Sequence, residues 1–205
     1  MKTIVDDIKL LEKYNDDMQG VFALSDLKSL FPLNDSVKFY RRIKSLENAG
    51  VLRRAVRKIY IANNFNLKLL SQKIHCESYI SFETVLADAL LIGTIPSNQI
   101  KAVKIGKKRE YSIGNNHIIH VGISEKLYFG FKKINKIQIA VKEKAFLDTL
   151  YFYMKGHSFY FDIYSDIDVS KLDFQLIKKY LTYYSNPKYR TFVRSFFHES
   201  GKKKY

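Results

Sequence analysis

The charge of this chain changes sign within its N-terminal third, and that change limits what the region can fold into and bind. Residues 1–35 hold four basic and seven acidic side chains, whereas residues 36–61 hold eight Lys or Arg and one acid. The spacing of hydrophobic residues predicts three helices followed by a short β-hairpin. This order is typical of a winged helix-turn-helix. A basic helix beside a basic hairpin can neutralise phosphates and reach base edges, so the pattern indicates duplex DNA as a partner.

Two helices are predicted before the basic segment. Thr3 and Asp6 have the spacing of a capping box at the start of the first helix. The second helix is predicted over residues 24–31, with Ser25 as its N-cap and Pro32 as its stop. In the first helix Ile4, Ile8 and Leu11 repeat at helical spacing.

The third helix is predicted to carry the DNA-binding face. It begins with Asp35 or Ser36 as N-cap, runs to about Asn48 and stops at Gly50. Phe39, Ile43 and Leu46 form its inward stripe. At about 100° per residue, a second face about 120° away is expected to meet the DNA groove, and it comprises Lys38, Arg41, Arg42 and Ser45.

A basic hairpin is predicted to follow this helix and to complete a first domain of residues 1–62. Its strands are residues 51–54 and 59–61, joined by a turn near residues 55–58. Four basic residues are expected at its tip, where they would contact the phosphate backbone or the minor groove: Arg53, Arg54, Arg57 and Lys58. A solvated helix face beside a charged sheet edge, or a protein-binding winged helix, would have the same pattern.

Residues 63–205 are predicted to form a second, α+β domain. A short helix through Leu67, Leu70 and Ile74 is expected to open it, and Ser81 to cap the next helix. Turn signals at 106–108 and 114–116 separate the short strands of a small antiparallel meander between residues 100 and 141, with one strand over 128–131. A nearly apolar helix follows over residues 143–154.

The last fifty residues are predicted to be helical and rich in aromatic core residues. Ser170 and Asp173 form a possible capping box for a helix that reaches Tyr184, and Pro187 suits the first turn of a final helix. Residues 201–205 are expected to be a frayed basic tail.

The composition favours an anionic partner inside the cell. The net charge is +15, of which residues 63–205 carry +11, so a second basic surface is expected, with RNA or general DNA binding as alternatives. Cys76 is the single cysteine, which fits a reducing cytoplasm and is expected to be a buried small hydrophobe. No apolar run has the roughly 20 residues of a membrane helix, and the N-terminus has no signal-peptide pattern. The chain is therefore expected to be cytoplasmic, with no membrane partner.

Catalysis is not indicated, and we expect no enzyme activity, metal or cofactor. A metal-dependent nuclease would need to gather its carboxylates around an ion. Glu143 and Lys144 diverge by about 100° on a helix, and His117 and His120 point to opposite faces of a strand. The other acids considered for a nuclease are Glu83, Asp88 and Asp148. Phosphate-binding and nucleophile-elbow motifs are absent from the sequence.

Two stretches behind the predicted winged helix carry motifs of a known family. The first is residues 79–86, Tyr-Ile-Ser-Phe-Glu-Thr-Val-Leu, and the second is residues 137–148, Ile-Gln-Ile-Ala-Val-Lys-Glu-Lys-Ala-Phe-Leu-Asp. They resemble the "YIS.E.AL" helix start and the "v.vA.pEkALlD" signature of the AbiEi family of antitoxins from bacterial abortive-infection operons, with Lys142 where the family commonly has Pro. The Phe129-Gly130 pair and the turn at 107–109 also match, whereas Lys58 replaces a glycine that is often found in the wing. The resemblance covers about residues 3–155.

This resemblance implies the function of a type IV antitoxin. Members of the family repress their own operon by binding inverted repeats in its promoter through the winged helix. They also counteract a nucleotidyltransferase toxin through the C-terminal domain, apparently without a stable complex. A possible antitoxin surface is the basic turn of Lys107, Lys108 and Arg109, although an ordinary solvated turn has the same composition.

Overall fold

A computed structural model of the chain describes residues 3–199 and divides it into two compact units, Met1–Cys76 and Glu77–Tyr205. The described part contains eight α-helices and two β-sheets, so the predicted α+β class is confirmed. None of its helices has both the length and the apolar composition to cross a membrane. The predicted basic tail at 201–205 lies outside the described residues.

The first unit combines four helices with a three-stranded antiparallel sheet whose strand order is β1-β3-β2. Its elements in chain order are α1 (Ile4–Met18), β1 (Val21–Ala23), α2 (Leu24–Leu30), α3 (Ser36–Asn48), β2 (Arg53–Val56), β3 (Ile59–Ile61) and α4 (Leu67–Ile74). The core lies between the helices and the sheet. It includes Leu11, Phe22, Leu27, Phe39, Ile43, Leu46 and Tyr60. Each large apolar side chain buried there stabilises the unit by about 1.5–3 kcal/mol.

Carboxylate caps fix where the helices of the first unit begin. The predicted capping box of Thr3 and Asp6 is present at α1. At α2 the predicted cap was wrong, because the Asp26 carboxylate, and not Ser25, accepts a hydrogen bond from the N–H of Ala23 at 2.8 Å. The N-cap of α3 is Asp35, whose Oδ1 accepts from the next turn of backbone N–H groups. Helix α3 thus starts and ends as predicted.

The hairpin is shorter at its turn than predicted. Strand β2 continues to Val56, so Arg57 and Lys58 alone form the turn, and Lys58 takes the left-handed conformation with φ 65°. The carbonyl of Lys58 accepts a hydrogen bond from the N–H of Leu24 at 2.8 Å, which ties the turn to the start of α2. The tip therefore projects little beyond the sheet.

Helix α4 belongs to the first unit, although the sequence assigned it to the second domain. The ammonium of Lys73 donates to the Val21 carbonyl at 2.8 Å and to Asp26 at 2.7 Å. The segment before α4 packs closely against Gly20, since a Cβ added at residue 20 would lie 2.0 Å from the carbonyl oxygen of Asn64. The polar run at 63–66 is therefore a packed turn, and the boundary between units follows Cys76.

The second unit is built on a six-stranded sheet with the strand order β6-β7-β5-β4-β9-β8. Its strands are β4 (Ser78–Ile80), β5 (Gln99–Ile105), β6 (Arg109–Ile113), β7 (Asn116–Ile123), β8 (Phe131–Ile134) and β9 (Ile137–Ala140). Its helices are α5 (Phe82–Asp88), α6 (Lys142–Tyr153), α7 (Phe174–Leu181) and α8 (Pro187–Glu199), with 3-10 turns at Glu125–Leu127 and Val169–Lys171.

The predicted small antiparallel meander was wrong, because this sheet is mixed. Strands β5 and β7 are parallel, as are β4 and β9, and the remaining neighbours are antiparallel. Strand β7 lies between β5 and β6, so the turn at 106–108 does not close a hairpin. The sequence also missed β4, and the strand predicted over 128–131 begins only at Phe131.

Helix α6 runs through the core of the second unit. Eight consecutive residues from Glu143 to Leu150 are buried, which accounts for its predicted apolar character. Asp173 caps α7, but the proposed partner Ser170 lies in the preceding 3-10 turn, and α7 ends before Tyr184. Pro187 opens α8 as predicted.

The prediction that Cys76 is buried was wrong. The residue is exposed, because it lies after α4 at the end of the first unit and before the buried strand β4.

Candidate nucleic-acid interface

Helix α3 exposes a basic face opposite its buried stripe. Phe39, Ile43 and Leu46 are at most 2% exposed and fix the rotation of the helix. The exposed residues on its remaining surface include Val37, Lys38, Tyr40, Arg41, Lys44 and Ser45. Sequence reasoning missed Val37, Tyr40 and Lys44. A helical wheel centred on the buried stripe would have found Val37 and Lys44, which lie on the far side at about 100° per residue.

The ion pairs on this face leave its positive charge available. Lys38 approaches Asp35 at 3.9 Å and Lys44 approaches Glu47 at 3.6 Å, but both lysine side chains are about 70% exposed. Exposed pairs of this kind contribute at most about 1 kcal/mol. A phosphate can therefore compete for both ammonium groups at little cost.

Arg42 does not lie on the exposed face. Its Nε donates to Asp7 Oδ2 of α1 at 2.5 Å, and its guanidinium lies 5.3 Å from the ring centroid of Phe31. Arg42 follows Phe39 by three residues and precedes Leu46 by four, so it stands at the edge of the buried stripe. The structure thus places Arg42 as a link between α3 and α1, and removes it from the predicted groove-facing set.

The four basic residues of the hairpin occupy two places. Arg57 and Lys58 form its tip, but Arg53 and Arg54 pair with Ile61 and Tyr60 near the open end, so the prediction that all four crowd the tip was wrong. All four are exposed. Arg53 and Arg54 are consecutive strand residues and point to opposite faces of the sheet.

Helix α3 and strand β2 share one open concavity, of about 500 Å³. It is lined on the helix side by Lys44, Glu47 and Asn48 and on the strand side by Arg53 and Arg54. Glu47 is the one acid between Ser36 and Ile61. Lys44 of the helix and two arginines of the hairpin therefore border the same concavity. We call the exposed cations of α3 and the hairpin together the α3–hairpin surface: Lys38, Arg41, Lys44, Arg53, Arg54, Arg57 and Lys58.

The motifs of the second unit converge on a buried polar cluster formed by Tyr79, Ser81, Lys144, Asp148 and Tyr184. Lys144 Nζ donates to Asp148 Oδ1, and it donates to the Tyr184 hydroxyl at 3.2 Å. Asp148 Oδ2 accepts from the hydroxyls of Ser81 at 2.8 Å and Tyr79 at 3.1 Å. Burial lowers the pKa of Lys144 and raises the pKa of Asp148, because both charges have left water.

Aromatic rings close the polar cluster. Lys144 Nζ lies 4.8 Å from the ring centroid of Phe129, and Gly130 at φ 74° leaves room for the lysine stem, since a Cβ there would lie 3.0 Å from Lys144 Cβ. Both Lys144 and Asp148 have no exposed side-chain surface. The cluster is therefore part of the packed core of the second unit. The Ser81 hydroxyl bonds to Asp148 within this cluster, and the Ser81 side chain makes no capping hydrogen bond to α5.

The predicted antitoxin residues lie where β5 is joined to β6, with Lys107 and Lys108 in the connection and Arg109 as the first residue of β6. Lys107, Lys108 and Arg109 are all exposed. Lys108 pairs with Glu110, and this ion pair lowers the pKa of the glutamate. The turn presents two further cations at the edge of the sheet.

The acids considered for a nuclease are held apart. Glu83 accepts from Lys101 at 2.5 Å, and Glu143 accepts from the backbone N–H of Asp173 at 3.0 Å. Asp148 is paired with Lys144, and Asp88 is exposed. Within residues 3–199 no group of three or more His, Cys, Asp or Glu is placed to hold a metal ion.

No protein-family model and no curated protein matches this chain. Its fold is similar to that of the crystal structure of the RV2827C protein from Mycobacterium tuberculosis, with a TM-score of 0.61 and 10% sequence identity. The similarity covers 94% of this chain and 76% of that chain. At this level of identity the similarity describes the fold alone.

Proposed function

We propose that this chain is a DNA-binding repressor of its own operon and the antitoxin of a type IV toxin–antitoxin pair. The observation that carries the DNA-binding half is the α3–hairpin surface, in which Lys38, Arg41, Lys44 and the four hairpin cations are all exposed. In this proposal the first unit is a winged helix-turn-helix and α3 enters the major groove. Val37 and Tyr40 add apolar contact to bases, and Arg57 and Lys58 bind the phosphate backbone.

The order and pairing of the elements support this interpretation. Helices α2 and α3 are joined by a short connection, and the hairpin that follows α3 pairs with β1 to close a small sheet. A recognition helix needs one buried face and one free basic face, and α3 has both. The short tip predicts that phosphate contacts, not deep insertion into the minor groove, are the contribution of the wing.

The antitoxin half rests on the resemblance to the AbiEi family. The segments that carry the resemblance are in contact with one another, since Tyr79 and Ser81 of the first motif bond to Asp148 of the second, and Phe129 covers Lys144. This arrangement accounts for the motifs as parts of one core. The exposed turn at Lys107–Arg109 is the surface we propose for counteracting a nucleotidyltransferase toxin, without catalysis, metal or cofactor.

A duplex from the upstream region of the protein's own operon tests the DNA-binding proposal. We expect this duplex to bind about a thousandfold more tightly than a scrambled one, with a steep dependence on salt. Arg41→Ala should weaken operator binding by about tenfold or more, because a base contact from arginine is lost. Lys9→Ala is the matched control, since Lys9 is an exposed cation on α1.

Equal affinity for operator and scrambled duplexes would overturn the repressor proposal and favour general DNA binding. Loss of operator binding in Lys9→Ala to the same degree as in Arg41→Ala would remove α3 as the recognition helix.

Co-expression tests the antitoxin proposal. We expect the full chain to rescue growth of cells that express the toxin encoded in the same operon. The double variant Lys107→Ala with Arg109→Ala should rescue less well at equal protein level, and Lys178→Ala with Lys179→Ala on α7 is the control. Full rescue by the variant of the turn would remove Lys107 and Arg109 from the proposal.

A further inference from the structure

A cleft with cations and aromatic rings lies on one face of the second unit's sheet. Its floor is formed by neighbouring strands, where Lys101 of β5 pairs in register with Ile119 of β7. Lys108, the residue before β6, borders it, and residues 156–160 after α6 form the opposite wall. The cavity has a volume of about 430 Å³, within the range of small-molecule sites. We call this site the sheet cleft.

Two lysine ammonium groups lie at the sheet cleft, and each is paired with a glutamate. Lys101 Nζ is held by Glu83 at 2.5 Å and by the carbonyl of Ser158 at 3.3 Å, and its side chain is 14% exposed. Lys108 is exposed, with a pairing to Glu110 that is open to solvent. Burial lowers the pKa of His157, and Lys108, Lys101 and Lys155 lower it further. Three lysine ammonium groups are therefore close enough to His157 to act on its charge.

One aromatic ring at the cleft is available to a ligand. Tyr160 is 63% exposed, and its hydroxyl donates to Gln99 at the edge of β5, which fixes the position of the ring. Lys101 Nζ lies 4.7 Å from the ring centroid of Phe159 and 5.7 Å from that of Tyr160. A planar base can stack on an exposed tyrosine ring, and such stacking tolerates any base.

We propose that the sheet cleft binds a single nucleotide, with its phosphates at Lys108 and His157 and its base against Tyr160. Cations and one free ring in a cavity of this volume are the chemistry that recognises a phosphorylated aromatic compound. The site uses no residue of the α3–hairpin surface, so it does not depend on the DNA-binding proposal. It shares Lys108 with the turn proposed for antitoxin activity.

A single nucleotide fits the cleft better than a strand of RNA. A strand needs several successive stacking platforms along a basic groove. Of the two wall rings Phe159 and Tyr160, only Tyr160 is exposed, because Phe159 is half-buried. The wall at 156–160 also bounds the cavity on one side.

Calorimetric titration of the full chain with each of ATP, GTP, CTP and UTP in magnesium-free buffer tests the proposal. We expect at least one nucleotide to bind. The nucleoside with the same base and inorganic pyrophosphate should each bind more weakly than that nucleotide. In parallel, the His157 ring resonances, assigned with His157→Gln, should report a raised pKa in the complex, because a phosphate stabilises the imidazolium. Affinity should therefore rise as the pH falls through the titration of His157.

Two variants and a matched control locate the site. Lys108→Glu should weaken nucleotide binding by about tenfold or more, as expected for loss of a charge-assisted contact, and Tyr160→Ala should also weaken it. Lys133→Glu makes the same charge change on β8, which is the opposite edge strand of the sheet from β6 and lies outside the cleft, and it should have little effect. Circular dichroism checks that all three variants are folded.

Four outcomes would overturn the proposal. These are no binding of any nucleotide at millimolar concentration, equal loss in Lys133→Glu and Lys108→Glu, an unchanged pKa of His157 in the complex, and binding of a short RNA without binding of any mononucleotide. The last outcome would assign the cleft to an RNA strand. Operator binding by the same preparation is measured separately and does not enter this comparison.

Discussion

Arg41 and Arg42 are neighbours in the sequence but have different surroundings in the fold. Arg41 is exposed on α3, whereas Arg42 bonds to the buried Asp7 and lies over Phe31. Composition alone treats both as cations available to DNA. The difference follows from helical spacing, because only Arg42 is three or four residues from two members of the buried stripe.

Arg42→Ala should therefore reduce stability. The change leaves Asp7, which is 4% exposed, without its guanidinium partner, and we expect a loss of about 1–3 kcal/mol in the free energy of unfolding. Urea unfolding followed by circular dichroism measures this loss. Arg41→Ala is the control, with an expected change within about 0.5 kcal/mol. Equal stability of both variants would show that the Asp7–Arg42 pair contributes nothing.

The Lys144–Asp148 pair is also structural, but it is fully buried. Asp148→Asn keeps an acceptor for Tyr79 and Ser81 but leaves the ammonium of Lys144 without an anion. We expect it to cost about 3–5 kcal/mol, and the double variant Lys144→Met with Asp148→Asn to recover part of that loss. Chemical denaturation of both variants tests this.

The exposed Lys108–Glu110 pair provides a comparison for this cost. Glu110→Gln should leave the unfolding midpoint unchanged, because both side chains are more than half exposed. If the double variant Lys144→Met with Asp148→Asn is less stable than Asp148→Asn alone, the loss of stability does not come from an uncompensated charge on Lys144, and the prediction for the buried pair is wrong.

Local elements of this chain could be read from sequence wherever neighbouring residues determine them. The cap at Asp35, the buried stripe of α3 and the start of α8 at Pro187 all depend on residues within a few positions of one another. The order of the strands in the sheet does not depend on such local residues. The parallel pairing of Ile80 with Ile139 joins distant segments, and three-residue β4 is wholly buried, so it has no alternation to detect.

The candidate sites were predictable to a similar extent. The basic character of α3 and the hairpin could be predicted from the sequence. The sequence did not show that Arg42 bonds to Asp7 or that Arg53 and Arg54 lie away from the hairpin tip. The sheet cleft was missed, because it combines β5, β7 and the segment after α6, and only the sheet order brings these together. Lys108 was selected for its charge alone.

Helix α4 gives a prediction at the level of the element. A fragment of residues 1–76 should unfold cooperatively, whereas residues 1–62 lack the bonds from Lys73 to Val21 and Asp26. We expect the melting temperature of the shorter fragment to be lower by at least about 5 °C, since 1 kcal/mol corresponds to roughly 4–8 °C in a domain of this size. Thermal unfolding measures the difference. Identical melting temperatures would put α4 outside the cooperative unit.

At the scale of the whole molecule, positive charge is spread over both units while the proposed base contacts lie in one. The double variant Lys107→Glu with Arg109→Glu should weaken binding to operator and scrambled duplexes by the same factor and reduce the salt slope, because nonspecific attraction depends on charge. Arg41→Ala should instead reduce the preference for operator. Fluorescence anisotropy over a salt series separates the two effects. A changed preference in the double variant would mean that the turn reads sequence.

The mixed sheet of the second unit also has a consequence for the order in which the chain folds. The first unit closes its core from contiguous residues, and its strands β2 and β3 meet across a two-residue turn. The second unit must bring Ile80 to Ile139 and insert β7 between β5 and β6 before its sheet is complete. Because closing long loops slows folding, the unit with the basic α3 should mature first on the ribosome. A newly made chain would then be able to bind DNA before its second half is folded.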